Sequence, residues 1–211
     1  MLPFLSTIEL HNQAIEKTTS VVILILLGVA IVLSYLKTSK NLFFKNLLST
    51  VSSDSSYFDS LLQTGITSSS SVLMQICFVF LSGLGMSQLL YPELSAQGIL
   101  AGILAVLSLY TFQLLALYIF SVINFSNDTD FLRKRLAYNE FNSLVLFVGL
   151  ILVFYLPFST LYLNIILFLF IWLVNMVGSS AYLLGNISIF HIILYLCILE
   201  LIPVLFLIKY L

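Results

Sequence analysis

The chain has 211 residues, of which 61% are hydrophobic and only 8% are charged, and its formal net charge is -1. A soluble domain is about 45–50% apolar and about 25% charged, so a water-soluble fold of this size could not cover so much apolar surface. A net charge of -1 gives no basic field that would attract nucleic acid. The two cysteines, Cys77 and Cys197, lack metal-ligand spacing, and we expect them to be buried thiols. The composition indicates an integral membrane protein.

The first apolar segment covers about residues 20–36, is rich in Val, Ile and Leu, and ends at Lys37. A transmembrane helix needs about 20 mostly apolar residues, so this segment is predicted to be the first span. The 19 residues before it contain Glu9, Glu16 and only Lys17, which is unlike the positive start of a signal peptide. We therefore expect the segment to stay in the protein as a membrane anchor.

Residues 37–70 are more polar, with several lysines, aspartates and serines. Phe44, Leu47, Leu48 and Val51 recur there at helical spacing. This pattern predicts an amphipathic segment that lies in the membrane interface. The alternative is a connecting loop that packs on its own bundle.

The rest of the chain contains five further apolar segments of spanning length. They cover about residues 71–91, 97–123, 141–159, 163–184 and 188–210. The tract 141–184 is too long for one span, and Pro157 marks the expected turn inside it. The segments are apolar on every face, unlike the alternating strands of a barrel. The prediction is one all-α membrane domain over residues 1–211, a polytopic transmembrane helical bundle of about six spans.

The distribution of basic residues predicts the orientation, because cytoplasmic loops carry an excess of Lys and Arg. Six basic residues fall after the first and third spans and two fall on the other side: Lys37, Lys40, Lys45, Arg133, Lys134 and Arg135 against Lys17 and Lys209. The loops 37–70 and 124–140 are therefore expected in the cytoplasm. Both termini are then expected on the periplasmic side.

Glu200 lies near the middle of the last predicted span. An ionised side chain at mid-bilayer costs about 2.5–3.5 kcal/mol on insertion scales, so it needs a partner, a bundle-facing position or a bound proton. One interpretation is a proton or ion relay, or a substrate contact. The other is a neutral carboxyl that joins neighbouring helices.

The partner of Glu200 is not expected on its own helix. His191 and Lys209 are each nine residues away, which places them on the opposite face and about 13 Å along the axis. His191 is better explained as an interfacial anchor than as a metal ligand. The polar residues available on other spans are Gln75, Gln113, Asn142 and Asn175.

Three local motifs each have two interpretations. Pro203 frees a backbone carbonyl near residue 199, which either builds a polar site beside Glu200 or simply kinks the helix. Gly98 and Gly102 form a GxxxG pair that permits close helix contact, inside the chain or in a homo-oligomer. The basic run 133–135 is either a topology signal alone or also a contact for anionic lipid heads.

The closing segment carries a family resemblance, through residues that are spread over its length: Phe190, His191, Tyr195, Cys197, Glu200, Pro203 and Lys209. It resembles the end of a multi-pass inner-membrane family of Bacteroidota, the domain of unknown function 4271. The resemblance implies a bacterial cytoplasmic membrane and implies no activity.

The sequence has no Walker loop, nucleophile elbow, HExxH motif or cysteine-rich metal pattern, so no catalytic residue, cofactor or metal is predicted. The first function hypothesis is a non-enzymatic accessory or scaffold component of the cell envelope, with the lipid bilayer and a membrane protein as partners. The second is a small transporter or ion-coupled carrier that uses Glu200. The third is a membrane-embedded enzyme acting on lipid, which would need Glu200 and His191 to line one cavity.

Overall fold

The computed structural model describes residues 2–39, 69–91, 95–125, 130–155 and 160–186, with side chains for most of the positions between 19 and 177. These residues form five helices. In chain order they are α1 (Leu2–Ser39), α2 (Ser69–Leu90), α3 (Ala96–Phe125), α4 (Asp130–Tyr155) and α5 (Thr160–Asn186). The described part of the chain is therefore all-helical, as predicted.

The ends of the helices follow local sequence signals. The helices α2 and α4 end two residues before Pro92 and Pro157 respectively, because a proline disfavours helical geometry in the residue before it. At the start of α3, the Ser95 hydroxyl accepts a hydrogen bond from the Gly98 backbone N–H at 3.0 Å. This is a serine N-cap, which satisfies one of the free N–H groups of the first turn.

Among the described residues, four helices are long and apolar enough to cross a membrane. The spanning stretches are Thr19–Thr38, Ser69–Leu90, Ala96–Ile119 and Arg135–Tyr155. In α5 the apolar stretch Tyr162–Val177 is shorter. The predicted sixth span, 188–210, lies outside the described residues, as does the predicted amphipathic segment apart from its ends at 37–39 and 69–70.

The helix α4 begins earlier than the sequence prediction placed it. Residues 130–140 were expected in a cytoplasmic loop, but they are helical and continuous with the fourth span. Six consecutive residues of this stretch, 135–140, have buried side chains. Because they pack against other helices, polarity here does not indicate a solvated loop.

The helix α2 lies at the centre of the bundle and contacts all four other helices. In the spanning stretches, 61% of residues are buried in α2 and 50% in α4, against 17% in each of α1 and α3. The core between α2 and α4 contains Leu81, Leu84, Leu146 and Leu150, which are fully buried. The helices α1 and α3 therefore lie on the outside of the bundle.

Two glycines allow α2 and α3 to approach each other closely. A Cβ atom on Gly102 would lie 2.5 Å from the Gly83 carbonyl oxygen, and one on Gly83 would lie 2.6 Å from the Ile103 Cα. The backbones can approach this closely because neither glycine has a side chain. Of the Gly98–Gly102 pair, Gly102 thus makes a close helix contact inside the chain, whereas a Cβ on Gly98 would meet only Ser95 and Tyr91, at 3.2 Å. The homo-oligomer through this pair stays a prediction.

Candidate functional site: a buried polar cluster around Glu140

A carboxyl group is buried where α2 and α4 meet. Glu140 on α4 is only 2% exposed, and the Ser71 hydroxyl on α2 donates a hydrogen bond to its Oε1 atom. Ser71 lies in the first turn of α2 and is itself buried. The sequence therefore places an acid and its donor on two different helices.

Gln75 extends this cluster to a third helix. Its Nε2 atom donates to the Leu136 carbonyl oxygen on α4 at 2.9 Å. Its Oε1 atom accepts a hydrogen bond from the Tyr110 hydroxyl on α3 at 2.6 Å. Both ends of the amide are thus used, and the side chain joins α2, α3 and α4.

The first turns of the fourth span supply the remaining polar groups. Arg135 and Asn139 are 4% and 2% exposed, and Asn139 hydrogen-bonds the Tyr110 side chain. Residues 135, 139 and 142 are four and three apart, so they lie along one face of α4. We call Ser71, Gln75, Tyr110, Arg135, Asn139 and Glu140 the Glu140 cluster.

The Glu140 cluster has two chemical capacities. Its hydroxyl and amide groups compensate for the loss of water around the carboxyl, and this makes burial of that group tolerable. A carboxyl inside a membrane bundle can also accept and release a proton. Among the residues that the structure describes, no group of three His, Cys, Asp or Glu side chains could hold a metal ion.

Two further polar pairs join α5 to the bundle. Asn142 on α4 donates through Nδ2 to the Oδ1 atom of Asn175 at 2.8 Å, and Asn164 donates through Nδ2 to Gln88 on α2. All four side chains are buried. Within the described ranges, the Oδ1 atoms of Asn142 and Asn164 accept no hydrogen bond.

The structure places the polar residues that were predicted as partners of Glu200 in different surroundings. Gln75 is in the Glu140 cluster, Asn142 and Asn175 bond each other, and Gln113 is half-buried on α3. Their predicted role as partners of Glu200 stays a prediction, because Glu200, His191 and Pro203 lie outside the described residues.

The three residues of the basic run 133–135 do not share one position in the structure. Arg135 is buried in the bundle, whereas Arg133 and Lys134 lie in the turn of α4 before it. A contact with lipid heads stays a prediction for these two positions. Cys77, expected to be a buried thiol, is 3% exposed.

Glu140 is not among the site residues predicted from the sequence, and neither are Ser71, Tyr110, Gln88 and Asn164. The fourth span was predicted to start at residue 141, so Glu140 was assigned to a loop. A signal was present in the polar residues 135, 139, 142 and 143, which recur at helical spacing across the start of the apolar tract. Extending the helical period upstream would have placed Glu140 inside the bundle.

A family model described as Domain of unknown function (DUF4271) matches residues 22–211, which is most of the chain and includes all the described helices from the apolar part of α1 onward. The chain belongs to this family. The resemblance to domain of unknown function 4271 is therefore confirmed. No curated protein and no solved structure matches this member of the DUF4271 family.

Proposed function

We propose that this DUF4271 protein is a multi-pass component of the bacterial inner membrane, of the type found in Bacteroidota, with a non-enzymatic accessory or scaffold role in the cell envelope. In this proposal the bundle has about six spans, with the segment 37–70 in the cytoplasm and both termini in the periplasm. Its partners are lipid and another membrane protein. The proposal builds on four helices of spanning length in a chain of this family.

The observation that carries the proposal is how the buried polar groups are used. Hydrogen bonds between side chains join α2 to α4, α2 to α3, α4 to α5 and α2 to α5. Such bonds between membrane helices hold a bundle in one arrangement. A fixed core of this kind suits a protein that presents a constant surface to a partner.

The outer helices provide that surface. The exposed fractions are 58–70% for Leu24, Leu27 and Ile31 on α1, and 53% and 59% for Leu104 and Leu115 on α3. In a membrane these side chains face lipid or the helices of another protein. An accessory component needs such apolar outer faces, and α1 and α3 supply two of them.

The proposal is tested by complementing a deletion strain with wild type, Glu140→Gln and Glu200→Gln, each checked for its level in the membrane fraction. Glutamine keeps the size and the hydrogen-bonding ability of glutamate but cannot ionise. A scaffold requires neither carboxyl to ionise, so both variants should restore growth and envelope integrity to the wild-type level.

A second candidate function is a small ion-coupled carrier, and the burial of Glu140 inside a spanning stretch favours it. Ionisable residues within membrane helices commonly mark ion or proton pathways. A carrier that uses either carboxyl predicts that the corresponding Gln variant, at normal protein level, behaves like the deletion. That result would replace the scaffold proposal.

A further inference from the structure

The carboxyl group of Glu140 is buried among neutral side chains. It is 2% exposed, and both the Ser71 hydroxyl and the Gln75 side chain hydrogen-bond to it. These two partners are on α2, a helix whose sequence contains no charged residue. The sequences of α3 and α5 contain none either, and α3 contributes the neutral hydroxyl of Tyr110. The carboxyl therefore receives hydrogen bonds from these helices but no positive charge.

The ionisable side chains on the two remaining helices point away from this carboxyl. Arg135 and Tyr138 are five and two residues before Glu140 on α4, which places them about 140° and 160° around the helix from it. Arg135 acts on the Tyr110 hydroxyl. Lys37, in the last turn of α1, is exposed. The described surroundings of Glu140 thus contain hydrogen-bonding groups on one side and the apolar bundle on the other.

Such surroundings favour the protonated acid. An ionised carboxylate that is buried without a cation is costly, and the group takes up a proton instead. The hydrogen bonds from Ser71 and Gln75 favour the ionised form, but bonds from neutral donors offset only part of that cost. The protonated acid can still bond the Ser71 hydroxyl, since it has a carbonyl oxygen as acceptor and an O–H group as donor.

Glu140 is close enough to one end of the bundle to exchange a proton with water. It is the sixth residue of the spanning stretch Arg135–Tyr155, and its partner Ser71 is the third residue of the stretch Ser69–Leu90. At 1.5 Å per residue, Glu140 lies about 7.5 Å along the axis from the start of its stretch. Further into the bundle, the core between α2 and α4 includes four leucines: Leu81, Leu84, Leu146 and Leu150. A proton held by Glu140 therefore acts where the two helices begin to cross the membrane.

We propose that Glu140 is a proton-binding site whose occupancy controls the contact between α2 and α4. With the proton bound, the neutral acid and the Ser71 hydroxyl hold the first turn of α2 against α4. Loss of the proton leaves a negative charge between the helices, and they loosen at this end so that water reaches the carboxylate. The bundle is then sensitive to the pH on that side of the membrane. This inference does not depend on the scaffold or carrier role of the protein.

Infrared spectroscopy of the full chain in nanodiscs detects this proton directly. A protonated carboxylic acid has a C=O stretching band that a carboxylate and a glutamine lack. At neutral pH the wild type should show a band of this kind that Glu140→Gln loses, and raising the pH should remove the same band from the wild type. Glu9→Gln is the matched control, since Glu9 lies on α1 before the spanning stretch Thr19–Thr38, and it should leave the band unchanged.

A second variant keeps the carboxyl and removes its partner. In Ser71→Ala the band should remain and move to higher frequency, because the C=O group has lost the hydrogen bond that Ser71 donates. This measurement reports on Glu140 even where the glutamine variant gives too little folded protein for a spectrum.

The pH dependence of stability tests the link between the proton and the helix contact. The folded bundle holds the proton of Glu140 where the unfolded chain has released it, so the stability of the wild type should fall as pH rises. One proton changes the folding equilibrium constant by at most about tenfold per pH unit. Glu140→Gln lacks this proton and should lose less stability over the same range. Identical infrared spectra of wild type and Glu140→Gln at neutral pH, an unshifted band in Ser71→Ala, or an equal pH dependence of stability would overturn the proposal.

Discussion

The Ser71 hydroxyl on α2 bonds the Glu140 carboxyl on α4, 69 residues later in the chain. Met74 and Ser143, one turn further along the same two helices, are also 69 residues apart and in contact, with Oγ and Sδ separated by 3.9 Å. The constant offset shows that α2 and α4 run parallel and in register. The helix α3, which connects them in the chain, packs beside α2 and runs in the opposite direction, and this brings Tyr110 to the same level.

The bond between Ser71 and Glu140 predicts a loss of stability when the carboxyl is removed. Glu140→Ala leaves the Ser71 hydroxyl buried without its acceptor, at a cost of about 1–3 kcal/mol. Glu140→Gln keeps an acceptor oxygen at the same place and should lose less. Thermal unfolding in detergent, followed by size-exclusion chromatography, measures both, and an alanine variant as stable as wild type would refute the structural role of the bond.

The Tyr110 hydroxyl, which bonds Gln75 and Asn139, can be removed while the aromatic ring is kept. Tyr110→Phe deletes only the hydroxyl that donates at 2.6 Å, and should cost about 0.5–1.5 kcal/mol or more, since the Gln75 acceptor then has lost a partner. Tyr118→Phe is the control, because Tyr118 is on the same helix and 56% exposed. The two variants are compared by the same unfolding assay, and equal midpoints would argue against the bond.

The contact between α2 and α3 depends on the absence of a side chain at Gly102. Gly102→Ala places a methyl group 2.5 Å from the Gly83 carbonyl oxygen, so the helices must move apart. Overpacking of this kind costs typically about 1–3 kcal/mol. Gly28→Ala on α1 is the matched control, since a Cβ there meets nothing within 4 Å. Destabilisation by Gly28→Ala to the same extent would mean that the effect is not one of packing.

The sequence was informative about the extent of the second and third helices. The helices α2 and α3 begin and end within two residues of the predicted spans 71–91 and 97–123, because the length of an apolar run reports directly on membrane thickness. The start of α4 was not predicted, because the apolar run does not extend to the beginning of this helix. Its first residues are polar and are buried against other helices, so their composition is the one expected of a loop.

One sequence could not predict which polar side chains bond each other across helices. Gln75, Asn142 and Asn175 were recognised as polar groups within spans, but which helix each one contacts depends on the register between helices. That register is set by packing at places such as Gly83 and Gly102, and spacing along the chain does not encode it. The pairing of Ser71 with Glu140 therefore needed the structure.

The proposed orientation predicts the side of the membrane on which each connection lies. A fluorescent protein fused after Ser39, at the end of α1, should fold in the cytoplasm and fluoresce, because the basic residues that follow the first and third spans hold those connections inside. Alkaline phosphatase fused after Tyr91, beyond α2, should be active because it reaches the periplasm. As a reciprocal control, each reporter is fused at both sites. Only the fluorescent protein should be active after Ser39, and only the phosphatase should be active after Tyr91. Phosphatase activity after Ser39 with fluorescence after Tyr91 would invert the proposed orientation. The Glu140 cluster would then lie near the periplasmic leaflet.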